Sequence, residues 1–362
     1  MIMSEKCKQH VDSCRFCWMC HHICPVGNAT GHERNTARAR ALGISLVNRG
    51  AIELSEIMDN IYECATCGAC VHDCVTGWDP VMFTKETRLQ AALDGVLPEY
   101  IVKMVENALT VGNAYGKSEL CGCLKDSIKA NSKKTDTLLL LGADARYVLC
   151  EQGNKAIKVL SSAGVDFTVL ENELPSGSQL DFLIGAANET KEQMTALAKV
   201  MGEYKTVVVY DPQDAKTIKQ TYKEYGVEVD AKVVTYTAYL ASLIAEGKLS
   251  PKKSDLTVVY QDPYQLSRDL EETEEARAVI SAYANLHEFH LNRTETVWAG
   301  NPLMAFYTPT TVKKVAERRI FNAKSIGENT IVTASVGEYW SLRNVLDEGV
   351  KILSIEDLIL GE

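Results

Sequence analysis

The 362-residue sequence has no excess of positive charge and no long apolar run. Its 38 Lys and Arg are outnumbered by 48 Asp and Glu, which gives a formal net charge of −10. Such an acidic chain lacks the electrostatic footprint for nucleic acid or anionic lipid. No stretch of about 18 apolar residues could span a membrane, and the first residues show no apolar core followed by a cleavage site. We expect a cytoplasmic protein that associates with a membrane complex at most peripherally.

Cysteine, by contrast, is abundant, and most of it falls into two runs with the spacing Cys-x2-Cys-x2-Cys-x3-Cys. The runs hold eight of the twelve cysteines: Cys14, Cys17, Cys20 and Cys24, then Cys64, Cys67, Cys70 and Cys74. In a secreted protein so many cysteines would suggest disulfides. Clustering at metal-ligand spacing, in a chain without a visible export signal, indicates thiols in a reducing compartment instead.

The spacing is that of bacterial two-cluster ferredoxins, in which the fourth cysteine of each run ligates the other cluster. We therefore predict two 4Fe–4S clusters that exchange their fourth ligands. The first would be held by Cys14, Cys17, Cys20 and Cys74, and the second by Cys64, Cys67, Cys70 and Cys24. Structural zinc is the alternative, but a zinc site takes four ligands, usually as two Cys-x2-Cys pairs, which fits these longer runs less well.

Four further cysteines lie outside the runs: Cys7, Cys121, Cys123 and Cys150. Cys7 is expected to be a free thiol near the terminus rather than a spare ligand. Cys121 and Cys123 cannot chelate a cubane alone, so free thiols are favoured over a redox pair or a third metal site. The sequence assigns no role to Cys150.

Several basic side chains lie close to the runs: His21, His22 and His72, and Arg34, Arg38 and Arg40. The cysteine ligands are already complete in number, so the histidines are expected around the clusters or on the surface. The arginines fall on a predicted helix over residues 34–49. They could lie beside an anionic cluster, but we favour a solvated helix face.

The pattern of apolar residues predicts two kinds of structure. The first kind is helical: besides the helix over residues 34–49, helices are predicted over residues 53–62, 80–93 and 99–111. The run Leu138–Leu141, which ends at Gly142, is typical of a buried parallel strand. Strand and helix patterns then alternate, which indicates parallel sheets covered by helices. Within them, residues 205–229 and 329–352 share the order strand, loop, helix, Gly-Val, strand, so we infer an internal duplication.

These patterns predict an α+β multi-domain protein. An α-helical, ferredoxin-like domain with two clusters would cover residues 1–115, and a linker would cover 116–135. Two α/β repeats with parallel sheets would follow at 136–250 and 251–362.

Three segments near the C-terminus have the frame of a known family: residues 258–268 (VVYQDPYQLSR), Ala316–Arg319 and residues 330–337 (TIVTASVG). With the cysteine runs, they make the chain resemble the iron–sulfur subunits typified by glycolate oxidase, anaerobic glycerol-3-phosphate dehydrogenase and heterodisulfide reductase. The resemblance implies a two-cluster domain followed by two cysteine-rich repeats, often called CCG domains.

The repeats depart from that family where its cysteines should stand. The cysteine after Asp-Pro is Tyr264 here. The Cys-Cys-Gly and Cys-Pro-x-Cys positions fall at Trp298–Gly300 and Ser335–Glu338 in the second repeat, and at Pro175–Gly177 and Asp211–Asp214 in the first. A cluster cannot be held without thiolates, so we expect no intact CCG-type cluster. The repeats would serve as a scaffold for partners or as a repurposed ligand pocket.

Other charged residues of the second repeat are expected to have structural roles. Asp262 would cap the turn at Pro263, and Arg268 would be exposed. The acidic run at residues 271–275 would form a first helical turn that suits the helix dipole.

The resemblance implies an electron-transfer subunit without catalytic residues of its own. It would relay electrons between a flavin-dependent dehydrogenase subunit, carrying FAD or FMN, and an acceptor such as a further electron carrier. Whether the chain is itself an enzyme stays open, because the degenerate repeats could bind a substrate in a stand-alone reductase. A non-redox scaffold held by its clusters is a third interpretation.

Overall fold

The computed structural model describes residues 4–362, so the first three residues of the N-terminal segment lie outside it. The described part of the N-terminal region is helical. Its helices are α1 (Glu5–Val11), α2 (Met19–Ile23), α3 (Pro25–Thr30), α4 (Ala37–Asn48), α5 (Met58–Tyr62), α6 (Ala69–His72), α7 (Pro80–Leu93) and α8 (Glu99–Thr110), with 3-10 turns at Glu33–Asn35 and Leu54–Ile57. Helix α4 begins later than predicted because the Thr36 hydroxyl caps it, accepting a hydrogen bond from the Ala39 amide.

The next region contains a four-stranded parallel sheet in the order β2-β1-β3-β4. Its strands are β1 (Thr137–Leu140), β2 (Thr168–Val169), β3 (Thr206–Val209) and β4 (Lys232–Thr235). The helices around it are α9 (Gly122–Ala130), α10 (Cys150–Ser162), α11 (Ser178–Ile184), α12 (Asn188–Met201), α13 (Pro212–Lys216), α14 (Tyr222–Glu224) and α15 (Tyr236–Ala245), with π-helical turns at Asp144–Val148 and Thr217–Thr221.

A second parallel sheet repeats this topology in the order β6-β5-β7-β8. Its strands are β5 (Thr257–Gln261), β6 (Asn285–Glu288), β7 (Thr330–Thr333) and β8 (Lys351–Ser354). The remaining helices are α16 (Glu275–Tyr283), α17 (Pro302–Ala305), α18 (Pro309–Ser325), α19 (Val336–Arg343) and α20 (Ile355–Leu360), with a π-helical turn at Gln265–Asp269 and a 3-10 turn at Arg293–Glu295.

These sheets confirm the predicted fold class. Leu138 pairs with Val207, and Val207 pairs with Val233. In the second sheet Val259 pairs with Ile331 in the same way. Strands β3 and β7, which the duplication placed together, occupy the same position in the two sheets. The π-helical turns at Asp144–Val148 and Gln265–Asp269 also follow equivalent strands.

Some elements differ from the predictions. Residues 122–130, which the sequence suggested to be part of a loose linker, form helix α9, because Leu124 and Ile128 pack into the core beneath otherwise polar neighbours. Helices α11 and α20 were not anticipated. Strand β2 has only two residues.

Asp262 and the acidic run also differ from their expected roles. Asp262 is buried and accepts two hydrogen bonds from the Arg277 guanidinium, at 2.6 and 2.9 Å, so it is a buried ion-pair partner rather than a turn cap. Helix α16 begins only at Glu275. Glu272 lies before it and accepts a 2.6 Å hydrogen bond from the Thr235 hydroxyl, which ties the segment to the first repeat.

The core is continuous across these regions. Buried residues of the N-terminal helices pack with α11 of the first repeat and with Tyr264 and Trp298 of the second. The two sheets also share a core, in which Val208 and Val332 belong to one apolar cluster. The cysteine runs therefore rest on both repeats.

Candidate metal centre

The two cysteine runs adopt the same unusual backbone conformation. Between the first and second cysteine, Phe16 and Thr66 have φ of 55° and 50°. After the second cysteine, Trp18 and Gly68 have φ of 69° and 71°. A left-handed conformation costs a non-glycine residue roughly 1–2 kcal/mol. Its recurrence at equivalent positions indicates that the shape of the loop itself is required.

This conformation turns backbone amides toward sulfur. The Phe16 amide donates to Cys14 Sγ and the Thr66 amide donates to Cys64 Sγ, both at 3.4 Å. Successive amides in such a conformation form a concavity that favours an anion. The third cysteines lie in the short helices α2 and α6, which pack against each other. The runs are therefore built alike and lie side by side.

The fourth cysteine of the first run lies with the second run. Cys24 caps α3, where its Sγ accepts a hydrogen bond from the Gly27 amide at 3.4 Å. One cavity is lined by Cys24 together with Cys64, Cys67 and Cys70. These four thiols can thus face a common group, and the donor set fits a 4Fe–4S cluster.

The other four cysteines lie nearer to the surface. Burial raises the pKa of Cys20 to about 11, and the charges of Cys14, Cys24 and Cys17 also raise it, so Cys20 lies close to both of its predecessors. Cys74 is half-buried, and its Sγ lies 3.3 Å from the Thr76 hydroxyl. Burial raises the pKa of Cys74, but hydrogen bonds from Thr76 and Trp78 outweigh this and lower it.

The turn after Cys74 is held against the helix that precedes the first run. The Trp78 indole donates to the His10 carbonyl at 2.7 Å, and the His10 ring lies 3.2 Å from the Gly77 carbonyl. Helix α1, which contains His10, leads directly to Cys14. The turn that follows Cys74 is thereby held against the helix that leads to the first run, although no described contact joins Cys74 to Cys14, Cys17 or Cys20.

Exposure separates the two sets. Cys24 and Cys67 are 9% and 8% exposed, whereas Cys17 is exposed. Around Cys17, the side chains of Phe16 and Trp18 are also exposed, at 62% and 42%. The buried cysteines of the two runs therefore belong to the inner set, and the exposed one belongs to the outer set.

The expectation of a solvated face is wrong for Arg40. This arginine is only 2% exposed, and its Nε donates to the Asn60 carbonyl at 3.0 Å. Burial would lower the pKa of Arg40, but the nearby thiolates of Cys64, Cys24 and Cys70 raise it. Arg40 therefore supplies a positive charge beside the inner set of cysteines.

The other two arginines lie further out. Arg34 pairs with Glu63 at 3.1 Å, with more than half of its side chain exposed. The Arg38 guanidinium stacks over the Trp18 ring, 3.9 Å from its centroid, and so covers part of the outer run. Helical periodicity alone could not separate Arg40 from these two.

Two further arginines hold the backbone of the second run. Arg88, which is fully buried, donates to the Cys64 carbonyl at 2.7 Å and to the Phe182 carbonyl at 2.6 Å. Arg268 donates to the Cys67 carbonyl at 2.7 Å and to the Thr296 carbonyl at 2.5 Å. Arg268 is thus a bridge from the second repeat, and its predicted exposure is wrong. Sequence reasoning missed Arg88, which has no motif to mark it.

The histidines lie at the edge of the site. His21 is half-buried and His22 is exposed; their rings contact each other edge-on. The His72 ring lies 3.2 Å from the Glu295 carboxylate, which adds a second contact between the second run and the second repeat.

The cysteines outside the runs have two different environments. Cys7 is buried in the helical core, and burial raises its pKa. Cys121 Sγ lies 3.4 Å from Cys123 Sγ. Burial raises the pKa of Cys121, and the neighbouring Cys150 thiol also raises it. No sequence pattern indicated this third thiol, because it lies on a different helix.

The degenerate segments of the two repeats meet at a second cavity. Its wall includes Tyr264, Trp298 and Glu338 from the second repeat and Asp211 and Asp214 from the first. Burial raises the pKa of Tyr264, and the charges of nearby groups, Cys67 among them, raise it further. The cavity therefore lies close to the inner cysteines.

Comparison with known proteins agrees with this geometry. Residues 10–78 match the family model of the 4Fe-4S dicluster domain. A subunit of the dihydromethanophenazine:CoB–CoM heterodisulfide reductase of Methanosarcina acetivorans is 24% identical over 97% of this chain and 92% of its own length. The chain is an iron–sulfur relative of that heterodisulfide reductase subunit.

Other relatives share part of their length with the chain. An uncharacterized iron–sulfur protein of Methanocaldococcus jannaschii is 25% identical over 75% of this chain and 56% of that protein. A probable membrane-anchored ferredoxin of Chromohalobacter salexigens is 27% identical over 71% of this chain and 39% of that protein. No helix within residues 4–362 has the length and apolar character of a membrane span.

The fold also occurs in a solved structure. A hypothetical protein from Helicobacter pylori superposes with a TM-score of 0.52 at 9% sequence identity, and the match covers 99% of this chain and 72% of that one. At this identity the match shows a shared fold alone.

Proposed function

We propose that this iron–sulfur protein is an electron-transfer subunit that holds two 4Fe–4S clusters and no intact CCG-type cluster. Cys14, Cys17, Cys20 and Cys74 would hold the outer cluster, and Cys64, Cys67, Cys70 and Cys24 the inner one. The observation that carries the proposal is the cavity in which Cys24 joins three cysteines of the other run. When bound, such clusters accept and release single electrons.

The protein's own residues would orient and tune these groups. The left-handed loops aim amides at sulfur, and Arg40 places a positive charge by the inner set. The outer set reaches the surface beside Phe16 and Trp18, which supports electron exchange with a partner there. Two cysteines of the inner set, Cys24 and Cys67, are buried.

The partner would be a flavoprotein dehydrogenase subunit with FAD or FMN, and a further electron carrier would be the acceptor. The name of the Methanosarcina acetivorans relative marks it as one subunit of a larger enzyme, which supports a complex here as well. The acidic composition argues against nucleic acid. We place the protein in the cytoplasm, at most peripherally attached to a membrane complex, with the domain divisions at 115, 135 and 250.

The test is capture of the partner, followed by electron transfer. Affinity purification of the chain under anaerobic conditions should yield a flavoprotein. Adding that flavoprotein's substrate should then bleach the iron–sulfur absorbance of the complex. Reduction should stop when Cys17 and Cys20 are both replaced by alanine, while Cys123→Ala should leave it intact. If the isolated chain turned over a substrate without any flavoprotein, the stand-alone reductase would be the better interpretation.

A further inference from the structure

The cavity between the repeats lies where a parallel sheet normally binds ligands. Both sheets point the carboxyl ends of their strands toward it: Asp144 follows β1, Asp211 and Asp214 follow β3, Tyr264 follows β5 and Glu338 follows β7. Ligands of open α/β sheets bind outside the carboxyl ends of the strands. Asp211, Asp214, Tyr264 and Glu338 fall in segments where the resembling family has cysteines, and here they carry oxygen-bearing side chains.

Three carboxylates from the first repeat converge on this cavity. Asp211 is 7% exposed, and Asp144 and Asp214 are partly buried. Burial, together with the charge of Asp214, raises the pKa of Asp144 to about 6. The donors described for these three groups are hydroxyls and backbone amides, from Tyr115, Ser176, Ser178 and the start of α13. No basic side chain in residues 4–362 forms an ion pair with any of them.

The backbone makes room for this group of acids. Gly142 has φ of +81°, and a Cβ there would lie 2.6 Å from Asp214 Oδ2 and 2.9 Å from Asp211 Cβ. Only glycine allows the two aspartates to approach the end of β1 so closely. The local sequence therefore brings three carboxyl groups together, at an electrostatic cost when they are ionised.

A separate observation points to a missing hydrogen-bond donor. Gln265 lines the same cavity from the second repeat and is 7% exposed. Its Nε2 donates to Gln213 Oε1 at 3.1 Å, but its Oε1 has no hydrogen-bond partner in the described structure. A buried acceptor without a donor is costly. A ligand that donates hydrogen bonds would satisfy it.

We propose that this cavity binds an ammonium group, either as a small cation or as the end of a longer amine. An ammonium carries a positive charge and only donors, which suits three carboxylates and an unpaired amide oxygen. Trp298, Tyr264 and Phe182 line the same space, and aromatic faces attract cations. The room for water-sized groups is about 50 Å3, several times the 10–15 Å3 or so that one water needs.

The geometry disfavours two other ligands. Within residues 4–362, the group of His, Cys, Asp and Glu that brings three ligand atoms within 4.8 Å of one another is His72, Asp73 and Glu295, which lies outside this cavity. A tightly chelated metal therefore does not fit the aspartates. An anionic substrate would meet like charge. The inference goes beyond the proposed function and does not depend on the clusters.

Calorimetric titration of the full, anaerobically purified chain tests this site. The probes are methylammonium and putrescine, with acetate and Mg2+ as comparisons. We expect the amines to bind and Asp214→Asn to weaken that binding about tenfold or more, because a charge-assisted hydrogen bond is lost. Asp144→Asn, on a separate loop, should have the same effect. Asp136→Asn is the matched control, since this exposed aspartate pairs with Lys205 at the opposite end of β1.

The possible results are distinct. Amine binding that falls in both cavity variants and persists in the control supports the proposal. Binding that is equal in all variants would place the amine elsewhere and overturn it. Binding of Mg2+ or acetate alone, or no heat with either amine at millimolar concentration, would also overturn it. None of these outcomes bears on cluster content, so the proposed function would stand or fall separately.

Discussion

At the residue scale, the sequence singles out the cysteines of the candidate metal centre but not the arginines beside them. Eight thiols at a fixed spacing indicate a metal centre because the spacing itself is the signal. Arg40 and Arg88 carry no such signal: one was assigned to a solvated helix face and the other was overlooked. Both are buried because distant segments supply their acceptors, Asn60 for Arg40 and Phe182 for Arg88. Such partners become visible only once the chain has folded.

Replacing Arg40 by glutamine should lower the reduction potential of the inner cluster, because a positive charge favours the more negative, reduced form. At an effective dielectric constant of about 20, a unit charge roughly 6 Å away contributes about 3 kcal/mol, which is on the order of 100 mV for a one-electron couple. Redox titration followed by absorbance measures the change. Arg34→Gln, at the exposed Arg34, should leave the potential almost unchanged. Equal potentials in all three proteins would contradict the role of Arg40.

The buried carboxyl group of Glu338 should make the stability of the protein depend on pH. Burial raises its pKa to about 8, despite hydrogen bonds from the Ala299 amide and Gln261, whereas an unfolded glutamate has a pKa of about 4.3. Between these two pKa values the folded state binds more protons than the unfolded state. The contribution of Glu338 to the free energy of unfolding is therefore complete below about pH 4 and is lost as pH rises through about 8.

In urea denaturation at pH 8, the free energy of unfolding of Glu338→Gln should therefore exceed that of the wild type by roughly 2–5 kcal/mol. The difference should shrink toward pH 5. The exposed Glu203→Gln should show no such trend. If the urea midpoint of the wild type rose steadily relative to that of Glu338→Gln between pH 5 and 8, the result would be inconsistent with a protonated Glu338.

At the scale of elements, long periodic segments were predictable and conformations imposed by the site were not. Helix α7 matches its predicted bounds. Helix α9 was missed because Leu124 and Ile128 are the few apolar residues in a polar stretch. The left-handed Phe16 and Trp18 contradict local preference, since bulky residues avoid that conformation. The loop adopts it to aim amides at sulfur, and that requirement comes from the site.

Gly68→Ala tests that loop. The new methyl group would lie 3.6 Å from Arg268 Cδ, an ordinary contact, so the expected loss of about 1–2 kcal/mol comes from the positive φ. Gly122→Ala is the matched control, because Gly122 starts α9 with no atom within 4 Å and without positive φ; it should be neutral or slightly stabilising. The urea unfolding midpoints of both variants, compared with the wild type, measure the two changes in stability. If the two midpoints shifted equally, the loop conformation would not be required.

At the scale of the whole molecule, the repeats support the cysteine runs. Helix α3, which follows Cys24, packs on α18, and α6 contacts the turn at Arg293–Glu295. The sequence predicted separate units, because periodicity reveals elements but not the faces that they share. The meeting of degenerate segments from both repeats in one cavity was also invisible in the sequence.

Arg268→Lys should weaken this support. Each of the three Arg268 nitrogens donates to a different carbonyl, of Thr294, Cys67 and Thr296, and the single nitrogen of a lysine does not reproduce this spread. We expect the loop at residues 64–70 to exchange its amide hydrogens faster and the cluster absorbance to bleach several-fold sooner in air, with little change in initial iron content. The control is Arg318→Lys, at an exposed arginine of α18. Unchanged exchange at residues 64–70 would contradict a bridging role.

The most direct test of the account is the iron and acid-labile sulfide content of the anaerobically purified chain, measured with the EPR spectrum after reduction. Two 4Fe–4S clusters require about eight irons and eight sulfides per chain, with the signals of reduced cubanes. Cys24→Ala should lose about half of the iron, because Cys24 completes the inner set, while Cys123→Ala should lose none. About four irons or fewer in the wild type, without a cubane signal on reduction, would contradict the account.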